Sequence, residues 1–406
     1  MTEHSLTDID LWSDAIRPDP HAAYRVLRDE APVYQGIGPE TGRSFWFLTR
    51  YDDVASALRD PRLGREVDAL PEHLREQHRF EGEELMAMVN RHMLNADPPD
   101  HTRLRRLVSR AFTARRIADL EPRIREMSED LADRMGPDAD LIHDYALPIP
   151  VMVIAELLGV PIGDLDEFRT MIDGFVRPES PEAAMAAGMQ MIQYVNAAID
   201  ARTAEPGDDL LSALIHIEED SEAEGGRLDR AELMSMVNLL VIAGHETTVN
   251  LIGNGMLELL RHPDQLALLR SRPDLIESAI EEMIRFHGPV ETPFPRFAYE
   301  DVVMHGVTIP QGDMVIPVLA AANRDPSVFE DPDDFRIMRQ GARHVGFGLG
   351  IHYCLGAPLA RLEGRIAIGT LLERFSDIEL AVDEADLQWN PGFFLRGLRS
   401  LPVRVS

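Results

Sequence analysis

The chain has 406 residues, 45% of them apolar, enough to bury a large core, and no Gly/Ser linker, low-complexity tract or repeat divides it. A net charge of −30 argues against nucleic acid and anionic membrane surfaces as partners. A single cysteine excludes an internal disulfide framework. The polar, acidic start, Met1–Asp10, lacks the basic flank and apolar run of a signal peptide. The apolar run Leu239–Ala243 is far too short to span a bilayer, so a soluble, cytoplasmic protein is expected.

In chain order, Asp14–Arg28 reads as a short helix interrupted by prolines, Phe45–Thr49 as a strand and Asp52–Arg59 as a helix. From 64 to 95 the periodicity is poor and the charge high, and such long connections are usually functional. Its methionines, Met86, Met88 and Met93, are either a pliable pocket wall or ordinary core. Pro98-Pro99-Asp100 then starts a helix over His101–Thr113. Leu104, Leu107, Val108, Ala111 and Phe112 share one face, His101 and Arg105 lie on its edge, and Arg103, Arg106 and Arg110 point the opposite way. An inward arginine needs an anion, unless it snorkels at the helix edge. Six arginines and no acid between His101 and Arg116 make a basic face in a chain with 70 acids. From 117 to 203, helical patterns are expected to break at Pro137, Pro148, Pro150, Pro161 and Pro178, with helices over Phe168–Pro178 and Glu182–Ala201.

Asp229–Arg261 is a run of 33 residues without proline, opened by Asp229 and Glu232 in capping-box spacing. It is apolar almost all round from Leu233 to Ala243, which means burial. Ala243-Gly244-His245-Glu246-Thr247-Thr248 interrupts this. Glycine inside a helix costs about 0.5–1 kcal/mol relative to alanine. A buried carboxylate beside a hydroxyl costs more unless both are partnered. Local rules broken together mark either a functional site or a kink at a surface exit.

Beyond it, Glu282 and Arg285 stand three apart on one helix face. Pro289–Arg296 is too proline-rich for helix and should run extended. Val302–Ile309, Met314–Leu319 and parts of Trp389–Val405 read as strands and turns. Leu355, Leu359, Leu362, Ile366, Leu371 and Phe375 recur at helical spacing, so Cys354 lies at or just before a helix N-terminus. Unpaired N–H groups and the helix dipole bias such a cysteine towards thiolate. One thiolate cannot complete a zinc site. A metal that arrives with equatorial ligands needs only this bond.

The stretch Phe347-Gly348-Leu349-Gly350-Ile351-His352-Tyr353-Cys354-Leu355-Gly356 fits Phe-Gly-x-Gly-x-His-x-Cys-x-Gly at every fixed position. It resembles the cysteine-ligand loop of the cytochrome P-450 haem-thiolate monooxygenases, and the likeness runs from about residue 15 to the C-terminus. The resemblance implies one domain over 1–406, mainly α with small β-sheets, in the triangular-prism P-450 fold with a long central helix. It implies a soluble bacterial-type enzyme that uses haem b and hydroxylates or epoxidises a hydrophobic small molecule with O2. The presumed pocket segments suit a terpenoid, steroid, polyketide or fatty acid equally. Electrons would come from NAD(P)H indirectly, through a ferredoxin or flavodoxin and its reductase, docked on the arginine face. Rival readings are a haem-thiolate sensor or carrier without turnover, or a peroxide-driven oxygenase of the same fold.

By the same resemblance, Cys354 ligates iron. His101, Arg105, Arg296 and His352 hold the haem propionates, and Phe347, Gly348, Ala243 and Gly244 border the haem. Ala243 and Gly244 leave room for dioxygen, Thr247 hydrogen-bonds it and Glu246 helps to relay protons. Glu282, Arg285 and Arg339 form a buried structural cluster. Met88, Val89, Ile242, Val290, Phe294 and Phe394 are the candidate substrate contacts, although Phe393-Phe394 reads equally as a plain core pair. The helices between 168 and 201 form a lid.

Overall fold

A computed structural model describes residues 9–38, 42–78, 90–160, 170–172, 174, 180–217, 226–341 and 343–406. Met86, Met88, Val89 and most of the expected helix Phe168–Pro178 lie outside these residues. The chain is mainly helical with small sheets, and it divides into two compact units. One unit comprises residues 1–77, 129–146 and 247–406, and the other 78–128 and 147–246. The helix Arg230–Arg261, 32 residues long, gives its first half to the second unit and, from Thr247, its remainder to the first.

The first unit holds the sheets. Its strands are β1 (Val33–Ile37), β2 (Ser44–Leu48), β3 (Leu63–Gly64), β4 (Asp138–Asp140), β5 (Arg296–Ala298), β6 (Val302–Met304), β7 (Val307–Ile309), β8 (Met314–Pro317), β9 (Ile378–Leu380) and β10 (Pro402–Val405). The main sheet runs β1-β2-β8-β5-β3, and β4-β10-β9 form a second. Strands β2 and β8 pair in parallel, Phe45 opposite Met314. Both are nearly continuous apolar runs, the composition of strands covered on both faces. A core of Leu48, Val54, Leu63, Ala298 and Val315 packs on one part of this sheet, and one of Tyr24, Leu27, Phe47 and Ile316 on another. Hairpin β6–β7 turns at His305 and Gly306, both at positive φ (49° and 77°), as a two-residue hairpin requires.

Several expectations are corrected. The first α-helix is Pro20–Glu30, capped by Asp19, after a separate 3-10 turn at Asp14–Ile16. The strand expected over Met314–Leu319 ends at Pro317, and Leu319–Ala322 is a helical turn. Pro150 does not break a helix, and Pro148 stands at the boundary between the π-helical stretch Leu141–Ala146 and the next helix. Both prolines occupy the first turn of Pro148–Leu158, where a missing N–H removes no intrahelical bond.

The second unit is built from Asp100–Ala111, Pro148–Leu158, Pro181–Ala204, Leu210–Ile215 and the start of the long helix. Pro148–Leu158 ends on Gly159 at φ 66°, and a Cβ there would stand 2.3 Å from Asp209 Oδ2. Asp209 caps Leu210–Ile215 through the Ser212 amide (2.7 Å) and pairs with Arg202 (2.8 Å). The long helix opens with the expected capping box: the Asp229 amide donates to Glu232 (2.9 Å) and the Glu232 amide to Asp229 (2.8 Å). The stretch Leu141–Leu158 is long and apolar enough to cross a membrane, but 78% of it is buried inside the fold.

Candidate functional site

The cysteine loop belongs to the first unit. The Cys354 amide donates to the Phe347 carbonyl (2.9 Å) and the Gly348 amide to that of Val345 (2.8 Å), which closes the loop on itself. Gly350 has φ 72°, and a Cβ on it would stand 2.6 Å from the Leu58 carbonyl oxygen. Only glycine permits both the conformation and the approach. The same Leu58 carbonyl accepts from Arg296 Nη2 (3.4 Å), whose Nη1 donates to the Leu63 carbonyl (2.9 Å). Buried Arg296, on β5, is therefore drawn towards the loop through Leu58. Cys354 is half-buried, His352 precedes it on a 3-10 turn, and the 18-residue helix Ala357–Arg374 starts three residues after it. That helix start supplies the field that favours a thiolate.

The loop is pinned from behind. The Arg361 guanidinium lies 4.4 Å from the Phe347 ring centroid and donates to both Glu281 oxygens (2.5 and 2.9 Å). His344 Nε2 also meets Glu281, at 3.1 Å. Burial pushes the Glu281 carboxyl up, but Arg361 and His344 outweigh it and hold it at about 2. Adjacent Glu282 receives Arg285 Nε and Nη2 (2.7 and 2.8 Å) and Arg339 Nε (3.1 Å to each oxygen). Arg285 and Arg339 spend their other donors on the carbonyls of Asn323, Pro332, Asp334, Glu330 and Asp331.

Val290 forms a β-bridge with Leu395, and the Phe294 and Phe394 rings lie 5.4 Å apart. Phe294 is exposed and Phe394 half-buried, whereas Phe393 packs into the core.

In the second unit, His101 is buried at the start of Asp100–Ala111, and Arg105 is half-buried one turn later. Arg103 does not point out to solvent as the helical wheel suggests. It folds onto buried Glu232 with a short ion pair, and Nη1 reaches the Arg227 carbonyl (3.5 Å). Arg106 and Arg110 remain exposed. On the long helix, Leu239, Leu240, Ile242, Gly244 and Thr247 are only half-buried and Ala243 is exposed, although Glu246 and His245 are buried. The room on this stretch is at Ala243. A Cβ on Gly244 would instead meet Ile154 Cδ1 at 3.4 Å, an ordinary contact.

No cluster of three His, Cys, Asp or Glu residues among the described ones is placed to hold a bare metal ion. An accessible lone thiol at a helix start, on a loop of positive-φ glycines, suits a metal that brings its own equatorial ligands. The model of the Cytochrome P450 family matches residues 178–272 and 269–395. Cytochrome P450 107B1 of Saccharopolyspora erythraea is 47% identical over 410 residues, covering 100% of this chain and 99% of its own.

This chain is a cytochrome P450. The P450 is also 46% identical to the vitamin D(3) 25-hydroxylase of Pseudonocardia autotrophica, over 98% of this chain and 96% of that one. Its fold matches the solved structure of the bacillaene polyketide synthase cytochrome P450 PksS of Bacillus subtilis 168. The TM-score is 0.91 at 40% identity, covering 98% and 100% of the two chains. The P450 is an oxidoreductase, a monooxygenase that depends on haem, acts on hydrophobic molecules and draws electrons from redox partners. Sequence reasoning misses the Glu281–His344–Arg361 clamp and the Arg103–Glu232 pair. Both join segments far apart in the chain, 80 and 129 residues respectively, and neither carries a local signal.

Proposed function

We propose that this P450 hydroxylates or epoxidises a terpenoid, steroid, polyketide or fatty acid, with Cys354 as the thiolate ligand of haem b. The observation that carries the proposal is the placement of the only cysteine, half-buried, at the start of an 18-residue helix on a loop with two positive-φ glycines. Haem supplies dioxygen activation, and electron donation from a thiolate favours O–O cleavage. The protein supplies position, charge and protons. His101, Arg105, Arg296 and His352 would offset the two propionate charges. Phe347, Gly348, Ala243 and Gly244 would border the porphyrin. The Thr247 hydroxyl would hydrogen-bond dioxygen, and the carboxyl of Glu246, which is buried, would relay protons. Ile242, Val290, Phe294 and Phe394, with Met88 and Val89, line the substrate. Glu282, Arg285 and Arg339 hold the fold and retain the haem.

The hydroxylase and polyketide-synthase names of the relatives support a bulky apolar substrate. Residues 1–406 act as one P450 domain in the cytoplasm. Electrons reach it from NAD(P)H through a reductase and an acidic ferredoxin or flavodoxin that docks on Arg106 and Arg110, so reduction slows as salt rises. The deciding experiment is the spectrum of the reduced carbon-monoxide adduct. A red-shifted Soret band is expected, and Cys354→His should abolish it. A wild-type adduct without that band would sink the assignment. Thr247→Ala should release more hydrogen peroxide per reductant consumed, and unchanged coupling counts against its role.

A further inference from the structure

The segments that carry Val290, Phe294 and Phe394 are joined by few backbone bonds. The Glu291 amide donates to the Phe394 carbonyl (2.9 Å) and the Arg396 amide to that of Pro289 (2.9 Å). The Thr292 hydroxyl donates to the Phe393 carbonyl (3.1 Å). Two loops held by so small a ladder open readily unless something else ties them. Directly behind them lies a buried charge cluster.

The Glu291 side chain is 0% exposed. One carboxylate oxygen accepts from Arg17 Nη1 (2.8 Å) and the Tyr24 hydroxyl (3.1 Å). The other lies 3.5 Å from Arg396 Nη1. Each arginine also grips backbone. Arg17 Nη1 donates to the Gly392 carbonyl (2.8 Å), and Arg396 donates to the carbonyls of Arg17 (2.5 Å) and Pro18 (3.2 Å). The Arg396 guanidinium stacks 3.7 Å from the Trp389 ring centroid, and its Nε donates to His287 Nε2. An accepting Nε2 puts the His287 proton on Nδ1, which donates to Glu258 (2.7 Å). Burial, with Arg396 alongside, pushes His287 down to about 4, so its ring is neutral near neutral pH and adds no charge. Glu291 is thus the carboxylate that offsets Arg17 and Arg396 together. Removing it would leave two buried guanidiniums facing each other.

We infer that Glu291 is a positioning residue. Its carboxylate clamps the 289–296 segment, the 392–396 turn and the Arg17–Tyr24 region together, and so fixes the width of the apolar wall that selects substrates. The inference rests on the reading that Val290 and Phe394 touch substrate.

The test uses holoenzyme carrying Glu291→Gln, and Tyr24→Phe as a milder variant that removes one hydrogen bond without a charge. Hydrogen–deuterium exchange is followed over 289–296 and 390–396. Two iron-binding probes are titrated: imidazole, which reports on the iron, and clotrimazole, which adds a large apolar body. Glu291→Gln should speed exchange in both segments and weaken clotrimazole about tenfold while imidazole shifts less than about twofold. Tyr24→Phe should move both readouts the same way by less, and it decides the matter if Glu291→Gln yields no holoenzyme. Unchanged exchange, or equal losses for both probes, overturns the clamp. If Phe394→Ala weakens clotrimazole while Glu291→Gln does not, the clamp alone fails. If Phe394→Ala and Val290→Ala also leave clotrimazole unmoved, the substrate-lining reading fails with it.

Discussion

Glu282 and Glu363 are buried alike, at 3% and 2% exposure, yet their surroundings are opposite. Glu282 sits among two guanidiniums and also accepts the Arg336 amide (2.8 Å). Glu363, on the helix that follows Cys354, has no hydrogen-bond partner for Oε2 among the described residues. With nothing to oppose it, burial pushes the Glu363 carboxyl up to about 8. Burial makes charge costly at both places. Donors decide whether charge survives there, so a polar residue's depth alone says nothing about its state.

The largest loss of stability expected from this contrast is at Glu282. Replacing it with alanine leaves Arg285 and Arg339 without their carboxylate, and breaking such a buried pair costs about 3–5 kcal/mol. Holoenzyme yield and thermal unfolding followed at the haem band should both fall sharply. A Glu282→Ala protein that melts like wild type would erase the distinction. At Glu363 the effect of substitution is a gain and not a loss, and it depends on pH. Its folded pKa is above the ordinary carboxyl value of 4.5, so between about 4.5 and 8 the folded state binds the extra proton. Stability from this group is therefore present at low pH and is lost as pH rises, by about 1.4 kcal/mol per pH unit within that window. Glu363→Gln should raise the melting temperature at pH 8 and flatten that slope, with little gain near pH 5. A pH-independent difference between the two proteins would show that Glu363 is charged in the fold.

Where the signal is local, the sequence shows these places well. The cysteine loop, the helix over 100–111 and the long helix with its capping box rest on glycine placement, apolar periodicity and a three-residue spacing. Strand β1 does not stand out, because Gln35-Gly36 interrupts its apolar character. It becomes a strand by pairing with β2, Val33 opposite Leu48. A helical wheel places Arg103 opposite the core face, but a wheel contains no neighbouring helix, and Glu232 is that neighbour. The Glu291 cluster is invisible for a stronger reason. Arg17 and Glu291 are 274 residues apart, and nothing in Pro-Val-Glu-Thr-Pro marks that glutamate for complete burial. Buried ion clusters are long-range by construction, and they are the part of this site that periodicity and motif cannot supply.

The smallest expected effect tests the same rule from the solvent side. Arg374 Nε lies 2.5 Å from Asp133 Oδ1, closer than any contact to the Glu282 carboxylate, but the two side chains are 54% and 61% exposed. Water already solvates both charges, so the pair gains little by meeting, and salt screens what it gains. Arg374→Ala should therefore cost less than about 1 kcal/mol, less still at high ionic strength, as read from denaturant midpoints. A cost comparable to that of Glu282→Ala would mean that contact distance, and not desolvation, governs the ion pairs of this fold. The account of Glu363 as an acid kept neutral by burial would then lose its footing too.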